Sequence, residues 1–93
     1  MEAVKGEVVL AGVETLKLNG TVITFTSILP HPGRNDQVSV LFHSNPEFLR
    51  TDALLPHKVG IETKACDIVR RYLNWEKVEP IRIAPQAVVV HKN

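Results

Sequence analysis

Asn19-Gly20 constrains this chain more than any other pair of neighbours in it. Both residues accept positive φ at low cost, and a two-residue turn of that kind joins antiparallel strands whose twist it matches. The flanking runs fit such a turn. Thr15–Leu18 reads TLKL, and Thr21–Leu29 reads TVITFTSIL, where Val22, Thr24, Thr26 and Ile28 alternate with Ile23, Phe25 and Ser27. Alternation of that kind is the signature of a half-buried strand. Upstream, Lys5–Val13 reads KGEVVLAGV, with β-forming Val8, Val9 and Leu10 ahead of Ala11-Gly12. A glycine inside a strand marks a bulge or a close backbone approach. A long hairpin is the first expected element.

Beyond it, PHPGRND over Pro30–Asp36 is turn chemistry throughout, and QVSVLFH over Gln37–His43 returns to a strand with Val38, Val40 and Phe42 on one side. Ser44–Pro56 changes character. Ser44 or Asn45 can cap a helical turn that Pro46 opens, and Thr51-Asp52 gives a second capping signal before Ala53, Leu54 and Leu55. Lys58–Ala65, KVGIETKA, alternates again with Val59, Ile61 and Thr63 on one face, and is expected to be a strand. Asp67–Val78 fits two descriptions. Ile68, Val69, Tyr72 and Leu73 recur at helical spacing behind a capping Asp67, yet Ile68, Val69, Tyr72 and Trp75 are also β-formers. Pro80–His91 reads as a strand pair or one bulged strand, because Pro85 breaks a regular central strand.

A chain of 93 residues has room for one domain, spanning 1–93, with a thin core that favours pairing with another copy. Its 44% hydrophobic and 23% charged content is that of a folded domain. No apolar run is long enough for a membrane span, and Met1 opens no signal-peptide pattern. The single cysteine, Cys66, allows no internal disulfide and fits a reducing cytoplasm, buried and inert. Net charge is only +1, so no strong polyanion partner is advertised. Locally, Lys64, Arg70, Arg71, Lys77 and Arg82 outnumber Asp67, Glu76 and Glu79. That excess reads as a basic face or as an ordinary solvated surface.

The order of elements is that of a five-stranded, all-β Greek-key barrel of the oligonucleotide-binding type with a short helix between the third and fourth strands. In detail the chain resembles the bacterial single-stranded DNA-binding proteins and the related primosomal protein PriB. KGEVVLAGV resembles that family's first strand, NGTVITFTSIL the second, and QVSVLFHSNPEFL the third running into the helix. HKVGIETKACDIVRRYLNWEKVEPIRIAPQAVVV resembles the fourth and fifth strands with a basic-aromatic segment between them. The likeness covers most of the chain in short, degenerate pieces. It implies that Arg70–Trp75 lies on an extended hairpin arm, that the protein is a homodimer, and that it binds single-stranded DNA or RNA beside replication or recombination proteins. Unlike that family's usual members, this sequence shows no flexible linker and no acidic tip.

Single strands are held by aromatics stacking on bases and cations tracking phosphates. Tyr72 and Trp75 beside Arg70, Arg71 and Lys77 are the one place where both ingredients meet, with Lys17, Arg34, Lys64 and Arg82 as further phosphate contacts. The competing reading makes Tyr72 and Trp75 core and the arginines solubilising. Phe25 and Phe42 sit mid-strand on apolar faces and are expected in the core. His31, His43, His57 and His91 have no ligand spacing, and no metal or cofactor is expected. Nor does any serine, cysteine or carboxylate pair fall in a catalytic frame. Besides nucleic-acid binding, two other roles fit: a protein-interaction adaptor or inhibitor, and a self-assembling structural subunit whose strand edges pair.

Overall fold

The computed structural model describes residues 6–93; Met1, and Lys5 at the head of the KGEVVLAGV run, lie outside the described residues. The hairpin is present. Strand β1 (Val8–Leu18) turns through Asn19 and Gly20, both at positive φ, into β2 (Thr21–Pro30). The Ala11-Gly12 pair makes the expected bulge. Val9 pairs with Ser27 and Glu14 with Phe25, so Leu10–Val13 oppose Thr26 alone. Positive φ at Ala11 and Gly12 (54° and 75°) accommodates the excess, sending Leu10 into the core and leaving Val13 exposed.

Strand β3 (Gln37–His43) follows, then turns around Asn45, helix α1 (Thr51–Leu54), a 3-10 turn over Leu55–His57 and helix α2 (Lys58–Leu73). Asn45 accepts hydrogen bonds from Phe48 N–H through both its side chain and its carbonyl, a local turn rather than a helix cap. Strands β4 (Val78–Ala84) and β5 (Ala87–Lys92) complete a five-stranded antiparallel sheet in the order β1-β2-β3-β5-β4. The expected strand pair over Pro80–His91 is therefore present, with Pro85 in the turn and Gln86 at φ 76° beside it. Pro80 lies on edge strand β4, one residue before a bulge at Ile81, where a missing N–H disturbs no interior ladder.

Two sequence expectations are corrected. Lys58–Ala65 is the first half of α2 and not a strand, and Arg70–Leu73 is the end of the same helix, with Asn74 and Trp75 just beyond it, rather than a hairpin arm. The physical reason is visible in one pair. On a strand Val59 and Ile61 would share a face, but Val59 is 76% exposed and Ile61 fully buried. Two residues on a helix are about 200° apart around the axis, which separates them as observed. Ile61, Ala65, Ile68 and Val69 form the buried stripe, at the spacing of one helix face. Asp67 sits mid-helix instead of capping it, and α2 ends at Asn74, left-handed at φ 59°, whose N–H returns to the Arg70 carbonyl.

Helix α2 covers one face of the sheet. Beneath it Ile23, Phe25, Ile28, Val40, Val88 and Val90 have no exposed surface, and Phe25 packs on Phe42 with ring centroids 5.8 Å apart. Both phenylalanines are core residues, as their strand positions imply. Carrying the chain from β3 to β4, α2 leaves a slot that β5 fills. The ladders run from β1 at one end to β4 at the other, and among the described residues none joins those two ends. The helix lies between them, in contact with both β1 and β4.

Candidate interaction surfaces

The cations expected to grip a strand are mostly spoken for. Glu14, on β1 just after the bulge, points at α2 with its side chain 9% exposed. Arg71 donates to both its carboxylate oxygens (2.6 and 2.9 Å), Tyr72 donates its hydroxyl (3.0 Å), and Lys64 lies 3.2 Å away. These donors hold the carboxyl down at about 2 despite burial, with the Arg71 hydrogen bonds foremost. The same carboxylate pushes up the Arg71 guanidinium and the Tyr72 phenol. Three of the sequence-selected residues thus form a clasp between β1 and α2. Nothing in the motif search selected Glu14. The available signal was its position, an acid at an inward register in a strand that otherwise buries apolar side chains.

Other selected residues scatter. Arg34 makes a bidentate pair with Asp36 (3.0 Å each), in the loop after β2, and Asp36 also meets His91 at 3.2 Å. The Arg34 guanidinium keeps the Asp36 carboxyl below its usual range. Arg70 pairs with Asp67 at 3.1 Å and donates to the Glu76 carbonyl. Trp75 is 3% exposed and belongs to the core, with the Lys92 ammonium 5.4 Å from its ring centroid. Its placement as an exposed base-stacker is corrected: the indole fills space under the end of α2. Lys17, Lys77 and Arg82 are exposed, and their side chains make no hydrogen bond or ion pair with another described residue. They do not converge, since Lys17 is on β1 while Lys77 and Arg82 belong to the opposite edge.

The sheet face away from α2 has a different chemistry. Register places Val22, Thr24, Ser27 and Leu29 of β2 on it, with Gln37, Ser39, Leu41 and His43 of β3 and Ala87, Val89 and His91 of β5. None of these is Asp, Glu, Lys or Arg. In a chain that is 23% charged, about two or three would be expected on a solvated surface of that extent. Among the strand residues, charge appears only on the two edges, as Lys17 on β1 and Glu79 and Arg82 on β4, while the Asp36 carboxylate of the β2–β3 loop reaches His91 at one end of the face. Val9 and Val22 are exposed on the same face, whereas Ser27 and Val89 are buried.

A groove of about 290 Å³ runs between α2 and β4, lined by Val59, Glu62, Thr63, Cys66, Arg70, Val78 and Pro80. Burial pushes the Cys66 thiol up, away from the reactive thiolate. On the open face His31 Nε2 shares a 2.8 Å hydrogen bond with Ser39 Oγ. Among the described residues no carboxylate bonds to His31, and no three His, Cys, Asp or Glu side chains gather to hold a metal ion. No helix among them is long and apolar enough to cross a membrane. Family models, curated proteins and solved structures were all compared with this chain, and none matches, so the resemblance to single-stranded DNA-binding proteins gains no support from them.

Proposed function

We propose that this domain is a protein-interaction module that docks a protein surface on the open face of its sheet. The observation that carries this reading is the absence of Asp, Glu, Lys and Arg from the outward positions of the three central strands. A surface that follows a nucleic-acid backbone needs unengaged cations, because release of phosphate counterions supplies most of the affinity. Here Arg34, Lys64, Arg70 and Arg71 are bonded to carboxylates of the same chain. An uncharged face with exposed valines suits the depleted-charge centre of a protein interface instead. The free thiol of Cys66 fits action in a reducing compartment, the cytoplasm by preference.

A photo-crosslinking residue at position 24, on the open face, should form one discrete protein adduct in cells, and Leu41→Lys should remove it. Equal labelling from position 59 on the helix side would defeat the assignment to this face. Titration of a labelled oligothymidine at low salt supplies the other arm. No binding is expected, and saturable binding reversed by salt would replace the protein-docking reading with single-stranded nucleic-acid binding.

A further inference from the structure

Resting on that reading, we infer that the occupant of the open face is a second copy of this chain, packed face to face about a two-fold axis. Two identical surfaces bring like residues together, so a charge at the centre would meet its own sign. The centre, around Ser27, Ser39, Leu41 and Val89, carries none.

The charges at the rim fix the orientation. Lys17 pairs with Val22 beside the β1–β2 turn, whereas Glu79, the only outward carboxylate on the strands of this face, pairs with His91 at the opposite end, where the loop residue Asp36 also reaches the His91 ring. These are diagonally opposite corners. Four strand spacings and eight residues separate them, about 19 Å by about 26 Å, so a two-fold axis superposing them lies about 54° from the strands. The two sheets then cross at about 70°, closer to the orthogonal than to the aligned arrangement of sheet on sheet. Each Lys17 meets Glu79 of the other copy. Arg82, one row further in on β4, flanks that contact and opposes it.

The size of the face sets the strength. A square about 24 Å on a side contributes about 570 Å² per copy and about 1,150 Å² in all, the lower end for specific interfaces. An interface of that size is in the range of reversible association, so the dimer is expected to depend on concentration.

Sedimentation equilibrium on the full chain over a wide concentration range tests this. Wild type should pass from monomer to dimer, while Leu41→Lys stays monomeric, with Thr24→Lys as a second disrupting variant and circular dichroism checking the fold of each. Lys17→Glu and Glu79→Lys should each weaken the dimer about tenfold, and the double reversal should restore it to within about threefold. Arg82→Gln should tighten it. A wild-type chain that stays monomeric while position 24 still crosslinks to a different protein overturns the second-copy inference and leaves the protein-docking reading standing. A dimer untouched by both Leu41→Lys and Thr24→Lys overturns the inference and removes its face from consideration. Failure of the double reversal to recover overturns the orientation.

Discussion

The two faces of one sheet handle polarity in opposite ways. On the covered face a carboxylate is buried among apolar side chains and held by three donors from α2. On the open face the central strands avoid formal charge altogether, although water was available to solvate it. Basic residues near the end of α2 therefore report on how the helix is fastened, and the uncharged surface is where the proposed partner docks. Local charge excess was a poor guide because it does not show whether a cation is already matched.

Mutations can break or sharpen this contrast. The largest effect belongs to the covered face: Phe25→Ala should cost about 3–5 kcal/mol in urea unfolding, since the site cannot refill the lost ring volume. A loss under 1 kcal/mol would mean the core is far looser than its burial shows. Glu14→Gln should cost about 1–3 kcal/mol, because it removes charge-assisted hydrogen bonds while leaving their donors reachable by water. The same carboxyl gives a pH dependence of defined sign. Its folded value, about 2, lies below the ordinary 4.5, so its stabilisation is fully present above pH 4.5 and fades as pH falls toward 2. Thermal melts of wild type and Glu14→Gln should therefore converge on acidification, and a constant gap between them would contradict the clasp. Smallest of all, Thr24→Ala on the open face should leave monomer stability within about 0.5 kcal/mol. A larger loss would show that this face contributes to the monomer's own packing.

How much of this was legible beforehand differed by element. Strands β1 to β3 could be read directly, because Asn19-Gly20 and PHPGRND punctuate runs whose alternation is enforced by a one-sided core. The β4–β5 pair was legible through Pro85. Helix α2 was not, since KVGIETKA satisfies a two-residue period over eight residues as well as a helical one, and only the continuation through Ile68 and Val69 separates them. The site was less legible than the fold. Trp75 and Tyr72 stand three apart in sequence, yet one is enclosed beneath the helix end and the other reaches Glu14. Pairings such as Arg71 with Glu14, 57 residues apart, exist only once the chain has folded.

The slot that α2 leaves for β5 has a consequence for the order in which the sheet can be assembled. During synthesis β1, β2 and β3 emerge as a continuous meander, followed by α2 and then β4, whose only ladder partner is β5. Until β5 follows, β3 presents a bare hydrogen-bonding edge and β4 has nothing to pair with. The strand that unites the sheet is translated after all the others. Nascent chains therefore pass through a stage in which an open strand edge and the apolar stripe of α2 are exposed together, the combination most prone to capture by other chains.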